Sequence, residues 1–383
     1  MNREVVIVSG ARTPIARSPK GALREVRPDD LAAIAIRAAL ERAPGVADGD
    51  VEDVILGCAS PEREQGFNVA RVAALRAGLP AGVPGLTLNR FCASGLEAIA
   101  TAAAKIATGQ VEVVVAGGTE SMTLVPFMDP ETFRPNPWLQ ENRPDTFLSM
   151  GLSVEQLARK FDVSREASDA LALESHARAI AAQDAGRFDE EIVPVPLPDG
   201  TLFVKDEGPR RETSAEALAG LRLAFREDGV ITAGNASPRS DGAAAVLLMT
   251  REQAEKRGLR PLARFAGYAT AAVAPEDFGV APAYALPRLL ERHGLTLGDI
   301  GLIEFNEAFA AQVLAANRVY PLPLDRVNVN GGAVALGHPL GATGARQAVT
   351  LMYEARRRPE VRRGVVTMCA ALGMGAAGLF DFS

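Results

Sequence analysis

The chain of 383 residues holds only three cysteines, three histidines and one tryptophan. Cys58, Cys92 and Cys369 cannot build a paired disulfide framework and none lies in a CxxC spacing, so a reducing compartment is expected. No apolar run reaches the roughly 18 residues that span a bilayer. A secretory leader is not expected either, because strand-like sequence begins at Glu4-Val5-Val6-Ile7-Val8. The closing Phe382-Ser383 is not the SKL address. The cytoplasm is the expected location. A basic excess is missing as well: 41 lysines and arginines against 47 acidic residues leave a net charge of −6. That excludes the non-specific attraction by which basic proteins hold nucleic acid or anionic membranes, and neither is an expected partner. Phosphate-loop, HExxH and EF-hand patterns are absent, and the cysteines and histidines lack metal-ligand spacing, so no metal is expected. Gly373-Met374-Gly375-Ala376-Ala377-Gly378 satisfies GxGxxG, but only five residues follow it. Without a helix and a distant acidic residue, no dinucleotide site is expected there.

What is present is a rhythm of short apolar runs and longer helical patterns, the signature of an α/β fold around a buried, mainly parallel sheet. Strands are predicted at 5–8, 54–56, 85–88 and 111–116, with an alanine-rich helix over 94–108. The rhythm returns late in the chain: strand 300–305, helix 308–317, strand 327–329, helix 341–356 and strand 365–368. This reads as a duplicated α/β half. Between the halves, 122–145 is rich in proline and lacks strand periodicity, as an irregular excursion does. Helices are predicted at 154–160, with Ser153 as N-cap and Gln156 completing a capping box, and at 164–185. The expected domains are 1–118 plus 238–260, an inserted loop domain over 119–237, and 261–383.

Cys92 stands in Asn89-Arg90-Phe91-Cys92-Ala93-Ser94-Gly95, between a predicted strand and a predicted helix. A helix N-terminus stabilises an anion, so the thiolate should be favoured there; read alone, the residue is equally a small buried thiol. His338 lies in a glycine-rich loop, Gly337-His338-Pro339-Leu340-Gly341, that lets backbone approach a ligand. His176, on a helical surface pattern, and His293, at a helix end, read as structural. Asn306 and Cys369 each follow a predicted strand. Ligands of doubly wound sheets gather at strand carboxyl ends, so these four groups can converge on one site. Cys58 lies outside every motif and reads as a core thiol, and Trp138, among prolines, as loop packing.

At these residues the sequence resembles the thiolase family. Asn-Arg-Phe-Cys92-Ala-Ser-Gly-Leu is similar to the nucleophile motif, Asn306-Glu-Ala-Phe to the asparagine motif, Gly337-His338-Pro-Leu-Gly-Ala-Thr-Gly to the histidine motif and Cys369-Ala-Ala-Leu-Gly-Met-Gly to the C-terminal cysteine motif, in the family order. The resemblance covers essentially the whole chain. It implies a duplicated α-β-α-β-α layered fold with an inserted loop domain, and thiolytic cleavage of a 3-oxoacyl-CoA in fatty-acid breakdown. Cys92 would be the nucleophile, His338 its base, Asn306 the holder of a water, and Cys369 the acid and base for the leaving enolate and for coenzyme A. The backbone N–H of residue 371 would join an oxyanion hole, but Ala371 replaces the family glycine. If that position needs a positive φ, its Cβ costs about 1 kcal/mol or moves the donor. Arg210, Ser237 and Met150 match segments that face coenzyme A, which is a co-substrate; no cofactor is tightly bound. The family also implies a homodimer or homotetramer, with a β-oxidation multienzyme complex as a further partner. Three alternatives stay open: an acetoacetyl-CoA thiolase, a non-catalytic acyl-CoA or lipid carrier on the same scaffold, and a cysteine hydrolase.

Overall fold

A computed structural model describes residues 3–383. Nine strands carry the sheet: β1 (Val5–Arg12), β2 (Asp53–Gly57), β3 (Gly85–Leu88), β4 (Val113–Ser121), β5 (Ser240–Thr250), β6 (Ala263–Ala272), β7 (Leu302–Phe305), β8 (Arg363–Ala370) and β9 (Met374–Asp381). Eight helices pack on or beside them: α1 (Pro28–Glu41), α2 (Val69–Arg76), α3 (Ser94–Ala107), α4 (Met150–Lys160), α5 (Arg165–Asp184), α6 (Pro282–Arg292), α7 (Ala310–Val319) and α8 (Leu340–Arg356).

The strands run in the order β7-β8-β9-β6-β1-β5-β4-β2-β3, with the short Ala16–Arg17 strand added beside β5. The second half repeats the pairing scheme of the first without its outermost strand. In the first, β3·β2 and β2·β4 are parallel, then β4·β5 and β5·β1 are antiparallel. In the second, β7·β8 is parallel, then β8·β9 and β9·β6 are antiparallel. The halves join where Val6 and Ile7 meet Arg264 and Ala263. The sheet is therefore mixed, not mainly parallel. Burial on both faces makes a strand read as a continuous apolar run whichever way it points.

The strand predicted at 327–329 does not form. Val327 makes a single parallel bridge to Ile303, and Asn328, at φ 47°, turns the chain away. Its side-chain amide takes the place of a ladder, accepting from Phe305 N–H and donating to Phe305 O, both at 2.8 Å. The helix cap is also placed differently. Ser149 Oγ accepts from Leu152 N–H at the start of α4, and Ser153 is buried inside the helix. In the proline-rich stretch, Trp138 sits on a short helix, Pro137–Asn142, and is 63% exposed rather than packed.

Helices α3 and α8 lie against each other between the two sheet halves. Small residues make this contact possible. A Cβ on Gly95 would come within 2.8 Å of Gly341 O and Ala345 N, and one on Gly344 within 2.5 Å of Leu96 N. The turn before α3 and the loop before α8 are thereby held together.

The segment 188–206 is clamped to β1 by Arg12, which is fully buried. Its guanidinium donates to Glu191 at 2.6 Å and to both oxygens of Asp206 at 2.7 and 2.8 Å, and it stacks over the Phe188 ring. Removing one partner of a buried charge cluster leaves the others uncompensated. Arg12→Ala should therefore lower the free energy of unfolding by about 3–5 kcal/mol, read as a shifted urea midpoint; a change under about 1 kcal/mol would show that the clamp contributes little.

Candidate active site

Cys92 occupies a 3-10 turn, Phe91–Ala93, that runs into α3. Asn89 shapes the turn: its Oδ1 accepts from Phe91 N–H at 2.7 Å while its amide donates to Ala59 O at 3.0 Å. Ser94 Oγ accepts from Arg90 N–H and donates to Phe91 O. These bonds hold Phe91 at φ 48°, a left-handed conformation that costs a bulky residue of order 1 kcal/mol or more. The backbone N–H groups of Ala371 and of Cys92 itself are directed at the Cys92 sulfur. Cys369, the next-to-last residue of β8, lies close enough for Cys92 to raise the pH at which it ionises. Ala371 is not among the residues with positive φ; the following Leu372 takes the left-handed conformation, at φ 62°. The backbone penalty does not arise, and the alanine N–H favours the charged form of the sulfur.

His338 and Asn306 form a second buried cluster. Asn306 is buried where β7 ends, its N–H bonded to Thr367 O on β8 at 3.0 Å, and its Nδ2 lies 3.2 Å from His338 Nε2. His338 Nδ1 lies 2.7 Å from Thr343 Oγ1. The Thr343 hydroxyl donates its one hydrogen to Pro339 O at 2.9 Å, so toward His338 it can only accept. The proton must then sit on Nδ1, leaving Nε2 bare to receive a hydrogen bond from the Asn306 amide. Gly337, at φ 102°, is needed to deliver the ring, since a Cβ there would meet Ser240 Oγ at 2.5 Å. Ser240 Oγ accepts from His338 N–H.

Burial dominates the electrostatics. It pushes the Cys92 thiol up to about 12, with the two backbone N–H groups partly offsetting it and the Glu120 charge adding to it. The expected thiolate is therefore not the resting form: the helix start is there, but Cys92 is only 9% exposed. Burial, then the positive charge of Arg346, lowers His338 to about 3. Burial, then Cys92, raises Cys369 well above the usual thiol range. The resting groups are a neutral thiol, a neutral imidazole and a second neutral thiol.

Two residues that bear on the site carry no role in the sequence reading. Thr343 fixes the tautomer; its signal is a hydroxyl four residues after Pro339 at the start of a helix, where it can back-bond to the proline carbonyl. Glu120 is a buried carboxylate at the end of β4 that accepts from Ala59 N–H (2.8 Å), Gly341 N–H (2.7 Å) and the Gln65 amide (2.6 Å). It ties the loop after β2 to the loop after His338. An acidic residue closing an apolar strand is its only signal. Cys58, also buried, packs beside Glu120 and Gln65.

Met150 lines an apolar cavity of about 300 Å³ that also touches Ala371 and Phe91. Arg210 lines a separate cleft of about 220 Å³, together with Arg17, His176 and Pro238. His176 is not a surface residue: it is buried, and its Nδ1 accepts from Arg210 N–H at 3.2 Å, fixing that stretch of backbone. His293 caps the C-terminus of α6. The Ser237 hydroxyl donates to Ala308 O at 2.9 Å, two residues beyond Asn306. Among the described residues no group of His, Cys, Asp and Glu could hold a metal, and no helix is long and apolar enough to cross a membrane.

Comparison with known proteins places this arrangement in a family. The profile described as "Thiolase, N-terminal domain" matches residues 5–252, and that described as "Thiolase, C-terminal domain" matches residues 259–381. The chain is 50% identical to a 3-ketoacyl-CoA thiolase of Bacillus subtilis over 99% of both chains, and 45% identical to an acetyl-CoA acetyltransferase of Pseudomonas aeruginosa over 98% of both. The crystal structure of the Bacillus anthracis acetyl-CoA acetyltransferase superposes with a TM-score of 0.92 at 41% identity, covering 99% of each chain. With both domain profiles matched in order and the nucleophile, asparagine, histidine and cysteine motifs all in place, the chain belongs to the thiolase family of acyltransferases.

Proposed function

We propose that the protein is a 3-oxoacyl-CoA thiolase of fatty-acid breakdown, cleaving its substrate with coenzyme A to acetyl-CoA and a shortened acyl-CoA. The observation that carries the reading is the Cys92 sulfur, whose charged form is favoured by the N–H groups of Ala371 and Cys92 and which bears on a second thiol, on a turn that packs against the helix opened by the His338 loop. Cys92 Sγ attacks the ketone carbon as its proton passes to His338 Nε2, which gives up its hydrogen bond from the Asn306 amide. Because thiol and imidazole are both neutral at rest, this transfer accompanies attack rather than preceding it. The new alkoxide is received by the N–H groups of Cys92 and Ala371. Collapse restores the carbonyl, breaks the carbon–carbon bond and leaves its electron pair on the acetyl-CoA enolate. His338, now protonated, donates to the enolate oxygen; the Asn306 Oδ1, buried without a protein partner, suits a water that gives a second hydrogen bond. Cys369 protonates the enolate carbon. The resulting Cys369 thiolate takes the proton of coenzyme A, whose sulfur attacks acyl-Cys92; as the shortened acyl-CoA departs, Cys92 recovers its proton from His338.

Coenzyme A is the co-substrate in this reading. The Arg210 cleft, with Arg17 on its rim, supports the nucleotide end; Pro238, the neighbour of Ser237, lines the same cleft, and Met150 lines the cavity that touches Ala371. The loop domain of 119–237 would carry most of these contacts. A homodimer or homotetramer is supported by β3, which ends the sheet with exposed Leu86, and by Phe67, 99% exposed nearby. Three free, buried thiols support a reducing, cytoplasmic location. Acetoacetyl-CoA thiolase activity is the second reading, supported by the relatives named acetyl-CoA acetyltransferase.

Initial rates of 3-oxoacyl-CoA loss at varied coenzyme A should give parallel double-reciprocal lines, with medium-chain substrates turned over faster than acetoacetyl-CoA. Cleavage without coenzyme A would instead indicate a hydrolase, and a preference for acetoacetyl-CoA would move the protein to the second reading. Thr343→Val, which removes the tautomer lock, should lower kcat at least about tenfold and change KM for coenzyme A less than about twofold; equal losses in both would make Thr343 merely structural. Burial disfavours imidazolium, so His338 should stay neutral down to about pH 5. Nitrogen-15 spectra of histidine-labelled protein, assigned with His338→Ala, should show a neutral ring protonated on Nδ1 from pH 8 to 5, and an imidazolium signal in that range would contradict the resting state described.

A further inference from the structure

The apolar cavity beside the nucleophile has a built wall. Part of it is formed by Ala371, whose N–H favours the charged form of the Cys92 sulfur, and by Phe91, the residue before Cys92. Phe91 packs edge-to-face on Phe127 at 6.0 Å. A second edge-to-face pair, Phe133 and Phe147, with ring centres 5.9 Å apart, lines the same cavity.

Neither member of this second pair sits on a loose loop end. Phe133 N–H is bonded to Asp129 O at 2.7 Å, and Asp129 is held by Arg63 at 2.6 Å. Thr132, its neighbour in the chain, bonds to Glu62. Phe147 ends a short turn, Pro144–Phe147, that runs directly into the capped start of α4. Edge-to-face aromatic pairs contribute about 0.5–1.5 kcal/mol beyond their buried area, enough to keep two tethered segments in register.

The lining chemistry selects the occupant. Glu62 is the one charged residue on the cavity wall, and no cation lines it, so the phosphates of coenzyme A have nothing to meet there. An acyl group on Cys92 has this cavity for a neighbour, since Phe91, the residue before Cys92, and Ala371 both line it. At about 30 Å³ for a water-sized group, about 300 Å³ accepts roughly ten such groups.

We propose that Phe133 and Phe147 are the chain-length gauge of this enzyme: they close the acyl cavity so that medium-chain 3-oxoacyl-CoA, of about six to ten carbons, fits and longer chains do not. The inference rests on the thiolase reading above and names the substrate class of that site. Its residues bind acyl chain and take no part in bond making.

The test compares kcat/KM for acetoacetyl-CoA, 3-oxooctanoyl-CoA and 3-oxohexadecanoyl-CoA in the full-length protein, in Phe133→Ala and in Phe147→Ala. Each truncation should raise the hexadecanoyl-to-octanoyl ratio at least tenfold and leave acetoacetyl-CoA within threefold of the parent. Phe147→Trp should move the ratio the other way. Ratios taken within one preparation are insensitive to the fraction folded, and Phe147→Leu repeats the test with a smaller loss of packing. A parent enzyme that cleaves its substrates while every variant keeps the ratio within twofold would overturn the gauge and leave the thiolase reading standing. Failure of the parent to cleave any 3-oxoacyl-CoA would overturn that reading and the gauge with it.

Discussion

The hydrogen bond between His338 Nδ1 and Thr343 Oγ1 is the interaction on which the site depends. A buried imidazole can carry its proton on either nitrogen, and only one choice leaves Nε2 free of a proton, as the proposed mechanism requires. Thr343 makes that choice because its own hydrogen is committed to Pro339 O, within the first turn of the helix after the histidine loop. The bond fixes ring orientation and tautomer together, and Asn306 completes the arrangement from the neighbouring strand end. Arg346, on the same helix, is buried and lies 3.4 Å from Glu304; its charge reinforces the neutral state of the ring.

That base is useful only where the nucleophile stands, and the distance between them is set by backbone packing. The Cys92 turn opens α3 and the His338 loop opens α8; the two helices touch through Gly95 and Gly344 where no Cβ fits. Glu120 adds a polar anchor by taking N–H groups from both the loop after β2 and Gly341. Depth has a cost and a use. The thiol and the imidazole are both held uncharged, so activation waits for a substrate carbonyl, and the free enzyme carries no exposed thiolate for side reactions. The two backbone N–H groups at Cys92 need no proton transfer to act, which suits them to the charge that appears during attack.

Much of this was legible in the sequence because the chemistry sits at punctuation. Cys92, Asn306, His338 and Cys369 each mark a boundary where a strand or loop gives way to another element, flagged by glycine, proline or asparagine, and the strand and helix rhythm located those boundaries to within a few residues. Strand direction was not legible: β4 and β5 are both buried along their whole length although they run opposite ways. The missing strand at Val327 depends on one amide, Asn328, that replaces a ladder through its side chain, and apolar periodicity contains no trace of that. The helix start at Cys92 was visible, but its depth was not, so the sign of the thiol shift came out reversed. His176 shows the same limit: its helical position suggested a surface residue, whereas the segment around Arg210 folds over it.

The central claim is that an acyl group passes through one sulfur, that of Cys92, and no other. It is tested most directly by mixing the enzyme with a 3-oxoacyl-CoA in the absence of free coenzyme A, quenching in acid and measuring the masses of the cysteine-containing peptides. The account predicts the shortened acyl group on the Cys92 peptide, with the Cys58 and Cys369 peptides unmodified. Acyl mass on Cys369, or none on any cysteine while acetyl-CoA is released, would contradict it.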